Sequence, residues 1–231
     1  MGSQPGARCT SVPFLTRDVR QRTVSRGVCP TWSYVQRILL ASGSPRRLEL
    51  LRQVGFAPTV KTASIEEVAD TTLPSEDWVK VIAEKKAAAA RGLLGDLPLG
   101  LTADTTVWFG DGQRLEKPAD ADGAAAMLRV LSGQKHYVST GVCMWTPTES
   151  ISFSRTTEIT FDRISEASIA AYVATGDPLD KAGAYGIQGF AGLFVSNIAG
   201  CYFNVVGLPL FDVQRVACRL LKQRSMPWEG Q

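Results

Sequence analysis

The chain has 231 residues, of which 45% are apolar and 20% charged, and its formal net charge is +3. That length supports one sizeable core, and so small a charge gives no electrostatic ground for a nucleic-acid or membrane partner. No apolar run approaches the roughly 20 residues that cross a bilayer, and five scattered cysteines (Cys9, Cys29, Cys143, Cys201 and Cys218) without a CxxC pair argue against a disulfide framework or zinc site and for a reducing compartment.

Residues 1–34 differ from the rest. They carry Arg8, Arg17, Arg20, Arg22 and Arg26 against a single acid, Asp18. Such an Arg-rich, acid-poor start fits either a targeting segment or an extension without one. The folded domain is expected over 35–231, in the cytoplasm unless that start directs it to an organelle.

Within it the apolar run Ile38 to Ala41 predicts a strand, followed by the loop Ser42-Gly43-Ser44. Ser44 is placed to cap a helix with Pro45 in its first turn, buried along Leu48, Leu51 and Val54 and ended by Gly55. Ser75 opens an alanine-rich helix to about Arg91, and Leu99 to Phe109 read as a strand interrupted by Asp104. After the turn Gly110-Asp111-Gly112 comes a helix from Ala121 to Leu131, closed by Gly133. Two strands follow, Tyr137 to Trp145 and Ile151 to Phe161, the second with period-two apolar residues. Ser165 caps a helix ending before Gly176. A glycine-rich stretch leads to strand-like segments around Val195 and Val205, and a last helix follows Pro209. Strands alternating with helices, with hairpins among them, predict an α/β fold with a mixed sheet.

Four places carry candidate chemistry. Ser42-Gly43-Ser44-Pro45-Arg46-Arg47 puts two arginines in the first turn of a helix, where the dipole disfavours cations. An anion bound there would remove the conflict; a pair of solvated arginines is the alternative. Asp104 is an isolated carboxylate in a β-prone segment, either a metal ligand or general base, or a salt-bridged strand-end acid. Lys86 shares a helix face with Val79, Ile82 and Ala83, but periodicity does not separate it clearly from Lys85. Lys117 follows the turn after that strand, in Glu116-Lys117-Pro118. In Asp180-Lys181-Ala182-Gly183-Ala184-Tyr185-Gly186-Ile187-Gln188-Gly189 the glycines permit close approach to a ligand, Tyr185 could stack, and Gln188 could read a base edge. The P-loop signature is absent. The single histidine, His136, lies in a strand and is assigned a structural role; chemistry needing two histidines is excluded.

The motifs LASGSPRRLELL, ADTTVW, LEKP with LSGQKHYV, and DKAGAYGIQG with VVGLPL, in that order over Ile38 to Val216, resemble the Maf family of nucleotide pyrophosphatases. One apparent extra residue, in the Gly110-Asp111-Gly112 turn, is the departure. The resemblance implies a twisted mixed sheet with flanking helices, in two lobes around a nucleotide-binding cleft of Maf/ITPase-like type. It also implies a divalent metal cation (Mg²⁺ or Mn²⁺), a nucleoside triphosphate substrate and a homodimer.

By the same resemblance Asp104 is the catalytic carboxylate, and Glu67, beside Glu66, a second carboxylate near the metal. Lys86 takes a catalytic and triphosphate-binding role. Ser42, Ser44, Arg46, Arg47, Lys117 and Lys181 are substrate-binding positions, and Gln188 marks the dTTP/UTP-preferring subfamily. The implied reaction is hydrolysis of dTTP or UTP to the monophosphate and pyrophosphate. Its rivals are the same hydrolysis of a modified nucleotide such as 7-methyl-GTP, and a nucleotide-binding regulator of cell division without turnover.

Overall fold

In a computed structural model of the protein, residues 36–63, 65 and 69–222 are described. The expected metal ligand Glu67, its neighbour Glu66 and the N-terminal extension 1–34 lie outside them. Seven strands, β1 (Gln36–Leu40), β2 (Phe56–Val60), β3 (Gly100–Trp108), β4 (Arg114–Leu115), β5 (Lys135–Trp145), β6 (Ser150–Phe161) and β7 (Val195–Ala199), form one mixed sheet. The order is β2-β1-β3-β5-β6-β7, with β4 on β3. β1 pairs in parallel with β2 and β3, and the other pairings are antiparallel.

Helices α1 (Pro45–Gln53), α2 (Ser75–Ala90), α3 (Ala121–Leu131), α4 (Glu166–Ala174), α5 (Tyr202–Val206) and α6 (Leu210–Leu220) flank it. Most ends follow local chemistry. Asp120 accepts the Gly123 N–H at 2.7 Å to start α3, and Ser165 accepts that of Ser168 at 3.1 Å to start α4. Gly55 and Gly133, at φ 83° and 69°, turn the chain after α1 and α3.

Three expectations are corrected. β2 escapes the strand pattern because Pro58 interrupts it; the proline is tolerated because β2 is an edge strand with β1 as its one neighbour. Val205 lies in α5, not in a strand, since a short apolar run does not itself distinguish a strand from a buried helical turn. In α1 the fully buried residues are Leu50 and Leu51, while Leu48 and Val54 are half-buried at the margin.

The pleat of β3 divides the interior. Leu101 and Ala103 face a core shared with α1 and α6, and Val107, further along, joins a second core with α3 and α4. The opposite face carries α2, whose buried Ala83, Ala87 and Ala90 keep it close to the sheet. Thr102 Oγ1 donates to the Ala83 carbonyl at 2.8 Å. The approach is closest at Gly141 on β5, where a Cβ would collide with the backbone of Val79 and Lys80.

Gly141→Ala should therefore force α2 off the sheet and destabilise the protein by about 2–4 kcal/mol, toward the upper end for overpacking. Urea unfolding measures it, and a loss below about 0.5 kcal/mol would show that the helix is not held so tightly.

Candidate active site

A gap in the sheet creates the site. β1 pairs with β3 through Leu39↔Gly100 and Leu40↔Leu101, and β4 meets β3 at Val107 and Trp108. Between these pairings, residues 102–106 have no strand on that side. Parallel β1 ends at the gap, and such a switch in connectivity is where open α/β sheets place ligands. A cleft of about 910 Å³ opens there, between the two cores.

Ser42, Ser44, Arg46, Arg47, Lys86, Asp104, Lys117, Lys181 and Gln188 all line it. They come from five segments spread over nearly 150 residues of sequence. Trp78, Thr105, Asp177 and the end of α5, Val205–Gly207, line it too, though the sequence singled out none of them as a site residue. For Asp177 a signal was available: it stands four residues before Lys181, a helical ion-pair spacing.

Asp104 is 8% exposed, and its Oδ1 accepts from Lys86 Nζ at 2.7 Å. The pairing separates the two lysines: Lys86 turns into the cleft, whereas Lys85 is exposed on α2. Asp104 Oδ2 accepts no hydrogen bond among the described residues, so one carboxylate oxygen stays open to the cleft. Nor do three His, Cys, Asp or Glu side chains gather among those residues to enclose a metal ion.

Ser44 stands at the N-cap of α1, but its hydroxyl makes no capping bond. Instead Ser42 Oγ accepts the Ser44 N–H at 3.3 Å. The first-turn amides of α1 therefore face the cleft uncapped by Ser44, as an anion would require. The two arginines behave differently. Arg47 spreads its guanidinium over three neutral acceptors, the Gly207 carbonyl at 2.9 Å and the Ser42 and Thr105 hydroxyls at 3.0 Å. These contacts fix the guanidinium at the cleft wall. Arg46 leans toward Asp180 at 3.6 Å across the cleft, a loose contact.

Lys181 is held tightly. Its ammonium donates to the Asp177 carbonyl at 2.6 Å and carboxylate at 2.9 Å, and to Asp180 at 2.6 Å. Desolvation would raise both acids, but hydrogen bonds from Tyr172 and Lys181 to Asp177, and from Lys181 to Asp180, hold them below the usual carboxylate range. Lys117 and Gln188 are exposed at the rim. Tyr185, expected to be able to stack on a ligand, is part of the cleft wall but is mostly buried: its ring lies edge-on to Phe161 and its hydroxyl meets His136 Nε2 at 2.8 Å.

Fold and site together define an α/β protein with a cleft for a phosphorylated, polyanionic ligand. The model of the family described as Maf-like protein matches residues 37–220, and the chain belongs to that family. It is 44% identical over 178 residues to the dTTP/UTP pyrophosphatase of Exiguobacterium sibiricum (77% of this chain, 89% of that protein). It is 48% identical over 176 residues to the dTTP/UTP pyrophosphatase of Salmonella typhimurium (76% and 88%). The nucleoside triphosphate pyrophosphatase of Haemophilus ducreyi is 41% identical over 182 residues (77% and 91%). Among the described residues no helix is long and apolar enough to cross a membrane.

His136 gives the site a pH limit. Its burial pushes the imidazole from 6.5 down to about 4. Above pH 7 folded and unfolded chains are both neutral there. Below 6.5 the unfolded chain takes up a proton that the folded one refuses until about pH 4. Stability should fall through that window, by on the order of 3 kcal/mol in all. Urea unfolding of wild type and His136→Gln at pH 7.5, 5.5 and 4.5 should show the wild-type advantage shrinking as pH falls; an unchanged advantage would contradict it.

Proposed function

We propose that the protein hydrolyses nucleoside triphosphates to the monophosphate and pyrophosphate, with dTTP and UTP as preferred substrates. The observation that carries the reading is the Lys86–Asp104 pair, set in the gap beside β3 and faced by uncapped α1 amides and two arginines. A carboxylate is out of place in a cleft for a polyanion unless it serves the reaction. The relatives named above, each matched over most of its length, support the choice of substrate.

In this reading the α1 amides, Arg46, Arg47 and Lys117 receive the phosphates. Water attacks the α-phosphorus, the bond to the α,β-bridging oxygen breaks, and pyrophosphate leaves with that oxygen. Lys86, beside both Asp104 and the phosphates, offsets the charge that grows on the leaving group. Asp104 orients the attacking water or accepts its proton.

A divalent cation fits the donor set, because one open carboxylate oxygen plus phosphate oxygens is how Mg²⁺ is commonly held. Asp104 would hold it, and Glu67, outside the described residues, belongs to the same reading. Bound there, the cation would lower the pKa of a coordinated water and neutralise phosphate charge. Lys181, fully engaged by two carboxylates, holds the loop in place more than it attracts phosphate. A homodimer in the cytoplasm completes the reading and rests on family membership alone.

Pyrophosphate release from canonical and modified nucleoside triphosphates, with Mg²⁺, Mn²⁺ or EDTA, tests it. Metal-dependent release, fastest from dTTP and UTP, is expected. A strong preference for 7-methyl-GTP would move the assignment to the modified-nucleotide rival, and nucleotide binding without release would favour the regulator.

Asp104→Asn tests the chemistry separately. It should lower kcat by about 100-fold or more while leaving the circular dichroism spectrum unchanged. A variant that retains most of its activity would remove Asp104 from the reaction.

A further inference from the structure

The glycine-rich segment bearing Gln188 follows a path that its own residues do not favour. Gly183 and Ala184 lie in succession at φ 67° and 58°, in the left-handed region where an alanine Cβ is strained. A Cβ on Gly183 would press on the Val107 side chain at 3.0–3.1 Å. Such a path persists when the surroundings over-determine it.

Two tyrosines do so, Tyr185 from the cleft wall and Tyr172 from behind it. Tyr185 is buried, with its hydroxyl on His136 Nε2 at 2.8 Å and the Phe161 ring edge-on to both partners. Tyr172, on α4, accepts the Gly186 N–H at 3.2 Å and donates to Asp177 Oδ2 at 2.6 Å. Asp177 in turn holds Lys181. The segment is thus tied at residues 181, 185 and 186, just ahead of Gln188 at the cleft. Burial raises both tyrosine hydroxyls above their ordinary range, so they stay protonated throughout neutral pH. Neither His136 nor Tyr172 lines the cleft itself.

We propose that Tyr172 and the His136–Tyr185 pair are positioning residues for base discrimination, fixing the Gly183–Gln188 backbone so that Gln188 meets one pattern of base donors and acceptors. The inference rests on the nucleotide reading of the cleft, with Gln188 at the base. Its physical ground is that selectivity between bases needs a polar group that cannot relax. A loop free to shift by about 1 Å re-forms its hydrogen bonds with the wrong base, and the penalty for a mismatch disappears.

Tyr172→Phe and Tyr185→Phe each remove one oxygen and keep the ring packing. Calorimetric binding of the non-hydrolysable α,β-imido analogues of dTTP and dATP, with Mg²⁺, gives a ratio of dissociation constants that turnover does not affect. Both tyrosine variants should reduce the preference for the thymine analogue by about 3- to 30-fold, mainly by weakening its binding. Gln188→Ala should reduce it at least as much.

A merely structural role would lower Tm and leave the ratio within twofold of wild type. That result, with the ratio collapsed in Gln188→Ala, overturns the proposal and spares the nucleotide reading. A ratio unmoved in all three variants overturns the role of Gln188 and the proposal together. Loss of the ratio in the tyrosine variants alone removes Gln188 from recognition and overturns the proposal, since the tyrosines would then act through another group. Failure of the wild type to bind either analogue overturns the nucleotide reading and the proposal with it. Should Tyr185→Phe not fold, Tyr172→Phe decides the matter.

Discussion

Everything at the site depends on how closely α2 can lie on the sheet. Lys86 sits on α2 beside buried Ile82, Ala83, Ala87 and Ala90, and its ammonium must reach a carboxylate rising from the middle of β3. A larger residue at 141, or larger ones at 83 and 87, would lift the helix and leave two charges half-buried and apart. Desolvated charges cost several kcal/mol each when unpaired. Packing on one face of the sheet therefore sets the electrostatics at its edge. The pair is also not sealed: the Lys86 and Asp104 side chains keep 18% and 11% of their exposure. That opening lets a ligand share the ammonium without first unfolding its surroundings.

The cations of the cleft differ in how they are held. Lys181 is neutralised by two carboxylates, so its main effect is mechanical. Arg47 is fixed in place by three neutral oxygens, while Arg46 has, among the described residues, a loose 3.6 Å contact with Asp180. A polyanion would therefore find one pre-set positive group, one that can leave its partner, and a helix start that adds a partial charge of the same sign. This arrangement answers the conflict raised by two arginines in the first turn of a helix. The first of them faces the ligand space, and the second braces the loop that shapes it.

Much of this was legible in the sequence because the signals were local. Capping residues, glycines after helices and alternating apolar positions located most strands and helices, and an acid alone in a β-prone run singled out Asp104. What escaped was decided by neighbours remote in the chain. Pro58 hid β2, since its tolerance depends on β2 being at the sheet edge. The choice between Lys85 and Lys86 turned on a partner 18 residues away. Tyr185, in the glycine-rich segment, suggested a ligand contact, and it does border the cleft, but most of its ring is buried between His136 and Phe161. Val205 was misplaced because α5 owes its helical form to Asn204, which is fully buried and donates to the Val138 carbonyl at 2.8 Å and to Thr157 Oγ1 at 3.0 Å.

The same asparagine shows how the two faces of β3 divide the work. Asp104 points to the α2 side, and Thr105, one residue on, points to the other. There its hydroxyl meets Arg47 and Thr140 Oγ1, and Thr140 donates to the Asn204 carbonyl at 3.0 Å. Arg47 closes the circuit on Gly207, at the end of the helix that Asn204 anchors. The contacts in this ring join hydroxyl, amide and carbonyl groups to one guanidinium. The pleat thus puts the ionisable pair and its rigid brace one residue apart. A slip of one residue in the β3 register would exchange them, burying Asp104 beside Arg47 and leaving Lys86 opposite a threonine. The nine-residue pairing of β3 with β5 excludes that slip, and the precision of the site is in this sense a property of the sheet.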